Sequence, residues 1–180
     1  MMTPDTILSF WFDELKPTQW WVKDVELDRV IKTRFLKVHQ SANQCELFSW
    51  RQSAKGRLAE ILILDQFSRN IFRDTPRAFA SDALALILAQ EAISLGAHTE
   101  LNPIERNFLY MPFMHSESLL IHDVAVTLFT ENGIQSNIDF EHQHRNIIQQ
   151  FGRYPHRNSV LGRTSTETEL AFLSQPNSSF

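Results

Sequence analysis

The sequence predicts an all-α fold, and three observations carry that reading. Apolar residues recur at three- and four-residue spacing over stretches of about 12–18 residues, the period of a helix with one buried face. No segment alternates apolar and polar side chains as a half-buried strand does. Glycine is scarce, with 5 in 180 residues, which favours helices over a hairpin-rich β fold. Successive helices joined by short connectors imply antiparallel neighbours. The expected architecture is therefore an irregular helical bundle or solenoid-like stack in a single domain, 1–180, with 174–180 a frayed tail.

Each element has its own signal. Thr3-Pro4 reads as an N-cap followed by proline at the first helical position. The helix it opens carries Ile7, Leu8, Trp11, Phe12 and Leu15 inward and stops before Pro17. "PTQWW" is an aromatic connector. Asp24 opens a second helix, with Val30, Ile31, Phe35, Val38 and Ala42 on one face, and a short helix through Leu47 and Trp50 follows. "AKGRLAEILILDQFSRNIFR" is a third, long helix whose wide apolar face predicts a central, buried position. "DTPRAFASD" breaks it. A fourth helix ends at Gly96, in the expected C′ place. Asn102-Pro103 opens a fifth, which Pro112 should kink or end. The sixth spans 116–132 and closes at Gly133, and the seventh spans 137–150. Thr166 and Glu169 form a capping box for a last short helix, 166–173.

Composition narrows the function classes. Hydrophobic residues make up 43% and charged residues 21%, a globular balance. The net charge of −4 argues against generic nucleic-acid binding, which shows as a domain-wide basic excess. A single cysteine, Cys45, allows no intramolecular disulfide and no Cys-rich zinc site. The N-terminal stretch lacks the basic region of a signal peptide. No apolar run approaches the length of a membrane span. A cytoplasmic protein without nucleic-acid or membrane partners is expected. There is no dinucleotide or P-loop glycine motif, no G-x-S-x-G elbow and no H-E-x-x-H spacing, so neither a cofactor nor a metal is expected.

Three polar clusters interrupt the apolar pattern. In "LDQFSRN", Asp65, Gln66, Arg69 and Asn70 follow a very apolar run, and Asp65 and Arg69 have the i,i+4 spacing of a helix ion pair. In "PFMHSES", Ser116 and Glu117 are ordinary helix-start chemistry. Capping needs no histidine before it, so His115 is the informative member. The third cluster is "FEHQHRNIIQQFGRYPHRN" and its continuation. Arg153, His156, Arg157 and Arg163 fall within eleven residues shaped by Gly152, Pro155 and Gly162. Arginine offers a fork of donors suited to carboxylate or phosphate. The alternative is that Asp65, Glu105 or Glu117 pair with these arginines and lock the loop to the helices.

"ILSFWF", "LDQFSRNIFR", "PFMHSES" and "FGRYPHRNSVLGRTSTETELAFL" together resemble the bacterial DUF924 family, over about residues 5–173. The resemblance implies a tetratricopeptide-like helical fold, although no clear internal repeat is present. The matching signature positions are Asp65, Gln66, Arg69, Asn70, His115, Ser116, Glu117, Arg153, Pro155, His156, Arg157, Asn158 and Arg163. The family has no established activity, so the resemblance assigns no catalytic role. After "HSES" this chain has Leu119, Leu120, Ile121 and His122 where the family pattern has more acidic or amide residues.

The leading expectation is a pocket for a small anionic metabolite. Asp65, Gln66, Arg69, Asn70, Arg153, Arg157, Asn158 and Arg163 would form its binding set. His115, His156 and Glu117 are its candidate catalytic groups, the histidines titrating near neutral pH. The alternatives are an interaction module that binds a peptide or protein along an aromatic groove, and a purely structural polar network.

Overall fold

A computed structural model describes residues 2–176 and 178, and all regular structure among them is helical. Helix α1 (Pro4–Ser9) starts at Thr3, whose hydroxyl accepts from the Thr6 amide. It runs on as a π-helical turn over Phe10–Glu14. A 3₁₀ turn over Pro17–Trp21 leads to α2 (Val25–Asn43), capped by Asp24. Then come α3 (Ala54–Leu62), a second π turn (Ile63–Phe67) and the short α4 (Ser68–Ile71). After them follow α5 (Asp82–Ser94), α6 (Pro103–Met114), α7 (Leu119–Asn132), α8 (Gln135–Phe151) and α9 (Glu167–Leu173). None of the described helices is long and apolar enough to cross a membrane.

Most starts and stops follow the sequence signals, but α7 begins at Leu119 rather than 116, and its N-cap, Ser118, makes no side-chain capping bond. Asn102 accepts from the amides of Ile104 and Glu105, and the Glu105 carboxylate accepts in turn from the Asn102 amide. Gly96, Gly133 and Gly152 all take left-handed backbone at helix ends. Helix α6 continues two residues past Pro112, so the proline falls in its last turn, where the missing amide costs one bond rather than the helix.

The third predicted helix differs from expectation. It is interrupted by the π turn over Ile63–Phe67, which inserts an extra residue into one turn and shifts the helix face. That register lets Asp65 and Gln66 be buried together with Ile63, Leu64 and Phe67. The Ser68 hydroxyl donates to the Leu64 carbonyl and Arg69 to that of Asp65, at 2.6 and 2.9 Å. Sequence periodicity cannot see the turn, because the apolar run 61–64 that leads into it defines no face from which Asp65 and Gln66 could be seen to shift.

The main core is rich in aromatic contacts. Phe10, Phe35 and Phe67 meet at centroid distances of 4.8–6.0 Å, and Trp11 meets Phe108 edge-on at 5.6 Å. Consecutive helices α6, α7 and α8 pack side by side, while α3 touches α1, α5 and α6. A satellite cluster of Ile147, Ile148 and Tyr154, backed by Phe151 and Phe172, anchors the loop after α8 and α9. This second cluster places "FGRYPHRN" against α6.

Candidate functional site

The loop after α8, the end of α6, the π turn with α4, the connector around Trp20 and the face of α8 enclose a cleft of about 630 Å³. Its wall includes Lys23, Arg69, Arg73 and Arg157 against one carboxylate, Asp74, together with His115, His144 and His156. A volume of this size lies within the usual range for small-molecule sites.

Asp65, only 1% exposed, sits behind the wall. Its Oδ1 lies 2.6 Å from His115 Nδ1, and its Oδ2 accepts from Gln66 Nε2 at 2.6 Å. Burial works to raise its pKa, but His115 and Arg69 hold the carboxyl well below its ordinary value. Asp65 is therefore an anion that only accepts, and the hydrogen on His115 is fixed at Nδ1. Burial, joined by Arg69, pushes the His115 imidazole down, so the ring is neutral near pH 7. Its Nε2 makes no hydrogen bond among the described residues and is not sealed from solvent.

Two arginines flank this pair. Arg69 donates both terminal nitrogens to Asp82 at 2.8 and 3.1 Å and reaches Asp65 Oδ1 at 3.4 Å. Burial disfavours its charge, yet Asp82 and Asp65 hold it above its ordinary value. Arg157 lies between the rings of Phe79 and Tyr154, at 4.5 and 4.6 Å from their centroids. It reaches Asp82 only at 3.3 Å and donates Nη2 to the His115 carbonyl at 3.0 Å. Its buried Nε finds no acceptor among the described residues. Burial, with Arg69 nearby, pushes Arg157 below its ordinary value, and Asp82 offsets only part of this. Two cations thus share Asp82, and Arg157 has the poorer share.

The other loop cations have a different geometry. Arg163 grips Glu117 through both terminal nitrogens at 2.7 and 2.9 Å, and its Nε donates to Asn158. Glu117 also accepts from the Tyr154 amide at 2.8 Å. Arg153 pairs with Glu169 at 2.6 and 2.8 Å and donates to the Thr164 carbonyl. Arg153, Asn158, Arg163 and Glu117 lie outside the cleft lining. They tie the loop to itself, to α9 and to the start of α7. Of the carboxylates expected to face the loop arginines, Glu117 does so, whereas Asp65 turns to Arg69 and Glu105 to Lys55.

Behind the loop lies a second buried set. His122 Nδ1 is 2.6 Å from Glu141 Oε1, and His122 Nε2 is 2.9 Å from the Ser116 carbonyl and 3.2 Å from Tyr154 Oη. Both His122 and Glu141 are fully buried. Nε2 must donate to the carbonyl, so a single proton is shared between Nδ1 and Glu141, whose carboxyl burial pushes up. Tyr154 Oη donates to the Met114 carbonyl at 2.5 Å. His144 donates Nδ1–H to the Phe140 carbonyl at 2.7 Å, and burial takes its imidazole down to about 3.

Of the residues singled out by sequence, the structure brings Gln66, Arg69, Asn70, His115, His156 and Arg157 to the cleft, with Asp65 behind them. His156 is pushed down to about 4 by burial, then by Arg157 and Arg69. Asn70 donates to Asp28 at 2.8 Å, which Arg73 also grips. Sequence reasoning missed Asp82, Tyr154, Phe79, Phe140 and the His122–Glu141 pair. Tyr154 stood inside a quoted motif. Asp82 had no signal beyond its place at a helix start. His122 looked like part of an apolar departure, yet it is among the most buried polar residues.

The residue pattern described as a bacterial protein of unknown function, DUF924, matches residues 7–177. Among solved structures the chain is similar to the protein of unknown function ATU0120 from Agrobacterium tumefaciens. That likeness has 36% identity and a TM-score of 0.90, and covers 95% of this chain and 96% of that one. No curated protein matches it.

Proposed function

The chain belongs to the bacterial DUF924 family, whose function is unknown, and on that premise we propose that it binds a small anionic metabolite in the cleft and moves a proton on it. Arg157 and Arg69 hold the anion's carboxylate or phosphate oxygens. His115, oriented by Asp65, takes the proton at Nε2. An imidazole whose Nδ1–H is held by a buried carboxylate has its lone pair on the opposite nitrogen, the arrangement a general base needs. His156, also lining the cleft, is the second candidate for proton transfer. Arg153, Asn158, Arg163 and Glu117 serve as the clamp that holds the loop in place.

One observation carries the reading. Arg157 is a buried cation in the wall of the cleft, with an Nε–H that lacks an acceptor, bonded directly to the backbone of the Asp65-held His115. A buried charged donor left unmade is costly, and an anion in the cleft supplies the missing partner once the guanidinium turns this donor, sealed from solvent among the described residues, towards it.

Calorimetric titration with inorganic phosphate and with succinate tests the binding. The expected result is saturable binding at one site per chain, weakened at least about tenfold in Arg157→Gln and unchanged in Arg153→Gln. Equal loss in both variants, or no binding of any small anion, overturns the reading.

A further inference from the structure

The geometry points to a ligand whose anionic group is joined to a flat aromatic ring. We infer that Trp21 and Phe140 form the ring subsite of the cleft. This inference rests on reading the cleft as an anion site, and it specifies the rest of the ligand.

Both residues are large, apolar and unusually exposed, Trp21 at 57% and Phe140 at 49%, and both line the cleft. They come from separate elements, the connector before α2 and the face of α8. Trp21 is not loose. One face of its indole stacks on Phe108, with ring planes 7° apart and centroids 5.9 Å apart. More than half of the residue is left to solvent all the same. Trp20, beside it, meets Phe108 edge-on at 5.0 Å and donates its indole N–H to the Trp11 carbonyl at 2.9 Å. Its one polar atom is therefore already used, and Trp20 adds apolar surface only. Met111 and Met114 extend that surface towards His115, and thioether sulfur packs well at ring edges.

The polar groups of the lining complement an anion. Arg69 and Arg73 are already paired with Asp82 and Asp28, and Lys23 and Arg157 stand beside them against Asp74. The same lining therefore offers cationic donors for an anion and exposed rings for a flat apolar body. A cleft of about 630 Å³ accommodates a one- or two-ring acid and excludes a folded partner. Aromatic rings favour offset or edge-on contact with other rings, which a saturated chain cannot match.

Calorimetry with four probes tests the inference: inorganic phosphate, butyl phosphate, phenyl phosphate and 1-naphthyl phosphate. The expected order is affinity rising from phosphate to naphthyl phosphate by about tenfold or more, with butyl phosphate near phosphate. Phe140→Ala and Trp21→Leu are expected to remove that gain while leaving phosphate affinity within about twofold. Phe140 is half-exposed, so its variant is the safer fold control. Circular dichroism melting identifies a Trp21 variant that has lost the Phe108 contact through misfolding. If all four probes bind equally, or butyl phosphate matches naphthyl phosphate, the ring subsite is wrong while the anion site stands. If the aryl preference survives in both variants, the subsite lies elsewhere. If none of the four binds, the anion site and the ring subsite both fail.

Discussion

His115 Nδ1 donates to Asp65 Oδ1 at 2.6 Å, joining the end of α6 to a π turn that lies fifty residues earlier. The contact depends on the turn. In an unbroken α-helix the extra residue is absent, and the face carrying Asp65 rotates relative to Leu62 and Ile63. The π turn therefore connects the fold directly to the proposed base. It buries a carboxylate where that carboxylate fixes the tautomer of a neighbouring imidazole.

The loop arginines divide by role, and their stability effects should divide in the same way. Arg163→Ala removes both bonds to Glu117 and the bond to Asn158. Urea unfolding should show a loss of about 1–3 kcal/mol, the cost of leaving partly buried polar groups unmade. Arg157→Met replaces the guanidinium that lies over Phe79 and Tyr154 with an apolar tip of similar length and leaves Asp82 paired with Arg69. That variant should stay within about 1 kcal/mol of wild type or gain stability, as residues held for function commonly do. A loss from Arg157→Met equal to that from Arg163→Ala would assign Arg157 to the clamp.

The His122–Glu141 pair should behave as a buried, proton-sharing pair with no spare partners. His122→Ala strands Glu141 and leaves the Ser116 carbonyl without its donor. The expected loss is about 3–5 kcal/mol. The double variant His122→Phe/Glu141→Leu removes both members together and should recover most of it. If the double variant is as unstable as His122→Ala, the pair's loss is one of shape rather than of charge.

Stability should fall with pH below about 6.5. Burial takes His39 down to about 4 and His144 to about 3, so the unfolded chain binds protons that the folded chain refuses. Protonation of the unfolded state then favours unfolding as pH drops. Each such site contributes roughly 1.4 kcal/mol per pH unit in the window between its two pKa values. Glu141, pushed up by burial, works in the opposite direction and softens the slope. Asp65 and Glu117, both held low, contribute stability present above the ordinary carboxyl range and lost below it. Urea midpoints at pH 7, 6 and 5 should decline steadily, and a flat profile over that range would contradict the neutral burial of the two histidines.

Much of the fold was legible because its signals are local. Thr3-Pro4, Asn102-Pro103 and the Thr166–Glu169 box each cap a helix by bonds within four residues. Gly96 and Gly133 end helices by backbone conformation alone. The π turn at Ile63–Phe67 left no such trace, since the apolar run 61–64 reads alike in either register and Asp65 and Gln66 follow it as polar residues do at an ordinary helix end. The site was legible in part. Arg69, His115 and Arg157 stand out as polar residues at helix ends and on a shaped loop. Their division of labour did not, because it depends on long-range partners such as Asp82 and Glu169, which look ordinary in sequence. His122 was hidden by its neighbours: three apolar residues before it suggest an apolar face, while Glu141 on α8 supplies the partner.

The most direct measurement follows the Nε–H signal of Arg157 in a ¹⁵N–¹H correlation spectrum during a phosphate titration, with Arg157→Lys identifying the signal. The account predicts a saturable downfield shift of this signal as the buried donor gains its acceptor, with the Arg153 and Arg163 signals unmoved. An Arg157 signal that stays fixed up to saturating phosphate, or that moves no more than those of the clamp arginines, would contradict it.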